Sequence, residues 1–165
     1  KNSSYFLPYL SGERTPHNDP HIRGSFHSIK TNTNSADLQY AVIEGVSFGI
    51  LDGVNSILKV NNNFDNIFMV GGGSKSSFWI KLLASLLNRK LSVCDQSEFS
   101  AALGVARLAM YHDDTILNKE NIVSEIKISK IYEPDNVNID LLSKRYSIWK
   151  DLYKSNNKIA QNLNF

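Results

Sequence analysis

The chain has a single cysteine, Cys94, among its 165 residues. Without a second thiol it forms no intrachain disulfide and no cysteine-rich zinc site, and a reducing, cytoplasmic setting fits that usage. Charge of one sign is also missing: 18 basic against 16 acidic side chains leave +2, with the lysines and arginines scattered rather than gathered in a stripe. Nucleic acid is therefore a poor partner for it. The apolar runs are short, so no bilayer crossing is expected. No charged segment followed by an apolar core and cleavage site opens the chain. Its first residue is Lys1, so a fragment of a longer product is expected. No repeat of 20 to 50 residues is visible, which removes the solenoid. What is there is 42% apolar and 10% aromatic side chains. At this length that suffices for one ordinary hydrophobic core.

Pro8, Pro16 and Pro20 fall in a stretch with no helical or alternating period, so residues 1–23 read as an irregular loop, followed by a short strand within Gly24 to Ile29. From Ser35, the expected N-cap, Leu38, Val42, Val46, Ile50, Val54 and Ile57 recur at steps of three and four. That spacing predicts a long amphipathic helix. Gly45, Gly49 and Gly53 recur along it, and each costs about 1 kcal/mol relative to alanine in a helix interior. Close packing on a neighbouring element, or a ligand approaching the backbone, would compensate. Ile67 to Val70 predicts a buried strand, Trp79 to Leu87 a helix, Leu91 to Cys94 a further strand, and Phe99 to Tyr111 a tightly buried helix rich in alanine. Asn138 to about Lys154 predicts a last helix, with a tail frayed from Ser155. Alternating strands and helices give an α/β layered fold.

The strongest chemical signal is Gly71-Gly72-Gly73-Ser74-Lys75-Ser76-Ser77, where the chain leaves a strand and enters a helix. Free amides at a helix start suit phosphate, and missing Cβ atoms let a flat base approach the main chain. The pattern is neither GxGxxG nor a P-loop, so a purely structural tight turn stands beside the nucleotide reading. His17 and His21 have a metal-ligand spacing with Asp19 between them, but Pro16 and Pro20 argue against the helix that spacing needs. Glu13, Arg14 and Asp19 read as a loop-shaping ion cluster, Cys94 as a packing residue, and Glu44 as either a solvated or a site residue.

In chain order, four blocks resemble the FGGY carbohydrate kinase family: Tyr9-Leu10-Ser11-Gly12-Glu13-Arg14-Thr15-Pro16-His17-Asn18-Asp19-Pro20 with Arg23-Gly24; Asp37 to Val46; Gly71 to Trp79; and Ser100-Ala101-Ala102-Leu103-Gly104-Val105-Ala106. The likeness runs over about Tyr5 to Met110. It implies a ribonuclease H-like fold of the actin and hexokinase type, in which two such domains close on ATP, Mg²⁺ and a sugar. This chain would be most of the C-terminal nucleotide-binding domain, truncated at its N-terminal strands. The resemblance places Gly72 and Gly73 beside the adenosine and α-phosphate and Ser77 near the adenine, with Gly71 and Ser74 in the same turn. It puts the catalytic base, the sugar-binding groups and the phosphate loop upstream, so no catalytic and no metal-binding residue is expected here, and the piece alone would be inactive. The first block favours D-xylulose as acceptor, giving xylulose 5-phosphate. Ribulose or gluconate are the alternatives among kinases, and a non-catalytic actin-like module is the alternative outside enzymes. Ser28 stands where the family usually has glycine and Lys30 where it has threonine. Missing strands would leave a sheet edge that favours a homodimer.

Overall fold

In the computed structural model of the protein, which describes residues 3–60, 66–95, 97–113, 119–122, 127–135 and 139–162, the first element is a strand, β1 (Tyr5–Leu7). Tyr5 and Leu7 point inward and Phe6 outward, and β1 pairs antiparallel with β2 (Ser25–His27), Phe6 opposite Phe26. The expected irregular loop is thus corrected at its start: an alternation of three residues is too short to read as a period. Asn34 and Asp37 exchange side-chain and backbone bonds of 3.0 and 3.1 Å at the start of helix α1 (Ser35–Val60). The N-cap is therefore Asn34 rather than Ser35.

By length and composition α1 could cross a membrane, against the expectation that no run is long enough. Its Ala41, Glu44, Gly45, Ser47, Phe48 and Asp52 are buried in protein instead, as in a core helix. A Cβ at Gly45 would stand 2.2 Å from the carbonyl oxygen of Phe6. Close packing on β1 thus accounts for this glycine, while nothing lies within 4 Å of a Cβ at Gly53.

The chain divides into two compact units. The first comprises Lys1–Phe64, Ser85–Leu87 and Asp135–Phe165. Its core gathers Tyr5, Leu7, Tyr9, Ile22, Phe48 and Trp149, the last carried by helix α4 (Ile139–Asn162). The indole N–H of Trp149 donates to the Phe6 carbonyl at 2.8 Å. Arg145 forms a two-point pair with buried Glu44, at 2.7 and 2.5 Å, and reaches the Ser4 carbonyl at 3.0 Å. Burial opposes the charge on Arg145, but the bonds and charge of Glu44 more than offset it and hold the guanidinium above its ordinary range. The frayed tail is also corrected: α4 stays helical to Asn162 because Asn156 donates to the Arg23 carbonyl at 2.7 Å and Asn157 to the Asp19 carboxylate.

The second unit, Asp65–Ala84 and Asn88–Pro134, is built on a three-stranded sheet, ordered β3 (Phe68–Met69), β4 (Leu91–Cys94) and β5 (Ile128–Tyr132). The β3–β4 pair is parallel, with Phe68 opposite Ser92, and β5 joins antiparallel. Helix α2 (Ser77–Leu87) links β3 to β4, and α3 (Ser100–His112) follows β4. Two expectations fail here. The strand at Phe68 is at the sheet edge with Phe68 and Val70 exposed, and α3 has no buried residue. Small side chains permit close packing but do not supply the neighbour, and the main neighbours of α3 are short 3-10 turns at Ser97–Phe99 and Lys119–Ile122.

Candidate functional site

Because β3 and β4 run parallel, their carboxyl ends lie on the same side of the sheet, where open α/β sheets form their ligand crevices. The chain beyond β3 is the glycine turn. It does not pass directly into α2 as the sequence suggests: Gly72–Lys75 form a 3-10 turn, and Ser76 then caps α2, its Oγ accepting from the Trp79 amide at 3.3 Å and its carbonyl from the Ile80 amide at 3.0 Å.

Each residue of the turn has a separate duty. Gly71 has φ +82°, a backbone setting that disfavours side chains, and its amide donates to the Ser97 carbonyl at 2.8 Å. Gly73 sits under the Trp79 ring, which a Cβ there would approach to 2.4 Å. Gly72 is exposed, with nothing within 4 Å of where a Cβ would stand. The Ser74 hydroxyl turns inward, donating to the Gly71 carbonyl at 2.7 Å and lying 2.6 Å from the Ser97 hydroxyl. Ser74 and Ser97 are both buried. They form a latch between the segments that follow β3 and β4.

The amides of Ser74 and Ser76 are taken by the Gly71 and Gly73 carbonyls, each at 3.1 Å. The first two amides of the 3-10 turn, on Gly72 and Gly73, receive no acceptor among the described hydrogen bonds, as geometry requires at the start of such a turn. Ser77 is exposed at the start of α2, where its Oγ accepts from the Tyr132 hydroxyl at 3.0 Å. A Ser77 hydroxyl turned to donate to the phenolate oxygen across that same contact, together with the Lys130 ammonium 4.8 Å from the ring centroid, favours the ionised form and holds the Tyr132 phenol below its ordinary value.

Of the five residues singled out in the sequence, the structure brings Gly71, Gly72, Gly73 and Ser74 into one turn and puts Ser77 at the helix that leaves it. Ser97, Trp79 and Tyr132 were missed as site residues. Ser97 has no motif, Trp79 reads as helix core, and Tyr132 lies between the last two helices the sequence pattern predicts.

The other sequence candidates settle elsewhere. The Asp19 carboxylate accepts from the amides of His21 and Ile22 at 2.9 and 3.1 Å, and the His17 amide donates to Glu13 at 2.8 Å. These bonds shape the loop through main-chain amides rather than through the ion pair with Arg14 that the cluster suggested. Glu44 is neither solvated nor in the glycine site, being paired with Arg145.

Residues 1–112 match the model described as the FGGY family of carbohydrate kinases, C-terminal domain. The chain is 36% identical over 163 residues to the xylulose kinase of Staphylococcus epidermidis, covering 98% of this chain and 33% of that protein. It is 29% identical over 150 residues to the xylulose kinase of Escherichia coli K12, covering 91% and 31%. Among solved structures, a xyloylose kinase from Brucella ovis superposes with a TM-score of 0.81 at 33% identity, covering 95% of this chain and 32% of that one. A gluconate kinase from Lactobacillus acidophilus superposes with 0.75 at 26% identity, covering 97% and 32%. The chain thus spans about a third of the length of these relatives, and its fold is theirs, the actin and hexokinase type. With 112 of its 165 residues inside the family model and the likeness running over nearly its whole length, the chain belongs to the FGGY family of carbohydrate kinases.

Proposed function

We propose that this chain is most of the nucleotide-binding domain of an ATP-dependent sugar kinase whose acceptor is a ketose, D-xylulose first. The observation that carries the reading is the latched turn at the carboxyl ends of β3 and β4, with Gly72 facing open space and two adjacent amides unused by the turn.

Phosphoryl transfer relies on positioning and electrostatic stabilisation more than on covalent help from the protein. ATP, when bound, supplies the phosphoryl group. The amides of Gly72 and Gly73 would donate to its phosphate oxygens. The bare backbone at Gly72 would admit the nucleoside, and the Ser77 hydroxyl, held by Tyr132, would orient it. Ser74 serves the site by fixing the turn through Ser97 rather than by touching nucleotide. Mg²⁺, when bound, would be carried chiefly by the ATP phosphates and neutralise their charge, a role that needs only one or two carboxylates from the protein, and no group of three or more His, Cys, Asp or Glu side chains is assembled among the described residues. The base that takes the sugar hydroxyl proton belongs, in this reading, to the part of the kinase beyond this chain.

Xylulose is supported by the names of the relatives, and a second acceptor, gluconate, by the Lactobacillus acidophilus neighbour. Titration of the chain with ATP and ADP in the presence of Mg²⁺, followed by amide chemical shifts, tests the nucleotide reading. Shifts centred on Gly71 to Ser77 are expected; shifts elsewhere, or none at millimolar nucleotide, overturn it. Rates of the intact kinase on D-xylulose and gluconate test the acceptor, and a faster rate on gluconate overturns the choice of xylulose. Turnover by the isolated chain in a coupled assay would contradict the division of labour.

A further inference from the structure

The first unit holds a cavity of about 710 Å³ that the nucleotide reading leaves unused. Two helix faces and the loop residues Pro16 and His17 make its walls. On α1, Asp52, Asn55, Ser56 and Lys59 follow each other at helical spacing and line it together. On α4, Tyr146, Lys150, Tyr153 and Lys154 do the same.

The polar chemistry of these walls is graded. Asp52 is buried, accepts from the Tyr146 hydroxyl, and stands 3.4 Å from Nε2 of His17. That ring stacks on Tyr153 with centroids 3.8 Å apart, and its Nε2 is sealed from solvent without a completed hydrogen bond. Lys59 lies two turns beyond Asp52, roughly 10 Å along the helix. Lys150 rests over the Tyr146 ring at 4.7 Å, and Lys154 is steadied by Asp151 at 3.0 Å.

With Lys154 already paired to Asp151, Lys59 and Lys150 stand against the single lining carboxylate, Asp52, an excess of positive charge that suits an anion. Asn55 gives its amide N–H to the Tyr146 hydroxyl at 3.3 Å and Ser56 its hydroxyl proton to the Asp52 carbonyl at 3.0 Å, so these two side chains and the Asp52 carboxylate present oxygens that can accept from alcohol groups. The volume lies in the range of small-molecule sites, about 300–1,000 Å³. We propose that this cavity binds a phosphorylated small polyol, its phosphate on the lysines and its hydroxyls against Asp52, Asn55 and Ser56.

Isothermal titration calorimetry of the protein with ribose 5-phosphate tests it, with D-ribose and inorganic phosphate titrated alongside. The ester is expected to bind about tenfold or more tightly than either half, and raised salt to weaken it. A Lys59→Met/Lys150→Met variant, altered only at exposed positions and checked for folding by circular dichroism, is expected to lose about tenfold in affinity for the ester. Inorganic phosphate binding as tightly as the ester, an unaffected double variant, or no ester binding overturns the proposal. So do ester-induced amide shifts at Gly71 to Ser77 in place of Ser56 and Lys150.

Discussion

The first unit buries Trp149 and Phe48 completely and seals an ion pair among them, whereas the second leaves α3 without one buried residue and Phe68, Val70 and Ile131 uncovered on its sheet strands and turn. The first is held by side chains meeting over long sequence distances. The second owes the shape of its glycine turn to backbone constraint: a positive φ at Gly71, a ring pressed on Gly73, and two serines tied to each other. A core tolerates little change in its interior yet does not dictate a ligand. A turn with few buried atoms can be specified closely where the backbone itself is the binding surface.

The largest test of that contrast is Arg145→Met, which leaves the Glu44 carboxylate buried and unpaired. Urea unfolding should show a loss of about 3–5 kcal/mol, with Glu44→Leu added to it restoring most of the stability. A loss typical of a surface site would remove the ion pair from the account of the first unit. In the second unit, Gly73→Ala should cost about 1–3 kcal/mol by forcing the Trp79 ring aside, while Gly72→Ala, with open space at its Cβ, should leave the melting curve nearly unchanged. Hydrogen exchange at Gly71 to Ser77 would show the turn loosened in the first variant alone. Ser97→Ala should cost about 1 kcal/mol, read by thermal melting, because the buried Ser74 hydroxyl loses one partner and keeps the Gly71 carbonyl.

Acid sensitivity sharpens the contrast from the other side. Partial burial works against ionisation of Asp19, but the amides of His21 and Ile22, with Asn157 and Tyr153, hold its carboxyl below the ordinary carboxylate value. Its stabilising contribution is therefore complete above about pH 4 and is lost as pH falls through the lower, folded value. In an acid titration followed by circular dichroism, Asp19→Asn should remove that part of the pH dependence. Smallest of all, Val105→Glu on α3 should change the stability of this chain by no more than about 0.5 kcal/mol. A larger loss would mean that this helix face is covered.

Helix α1 was legible because Leu38 through Ile57 keep one period over many turns, and the glycine turn because three glycines after a short apolar run have few other readings. Strand β1 was not, since three residues do not establish a period. The error at α3 has a simple physical source: Ala101, Ala102, Gly104 and Ala106 report that a neighbour could come close, not that one does. Nothing in the sequence joins Arg145 to Glu44 or Ser97 to Ser74, because such partners are chosen by the assembled fold. The motif thus located the turn, while the latch and the ring over Gly73 that give it shape became visible only in three dimensions.

The bond from Arg145 to Glu44 spans 101 residues, and that from Trp149 to the Phe6 carbonyl spans 143. During synthesis from the amino end, the residues of β3, β4 and β5 are therefore all joined before those of the helix that closes the first unit. Throughout that interval Phe48 lacks its tryptophan lid and Glu44 its counter-charge. Early termination before Ile139 would leave the sheet's own segment encoded while denying the first unit its closing helix, so a nonsense mutation far from the glycine turn would have its primary effect at the opposite end of the sequence.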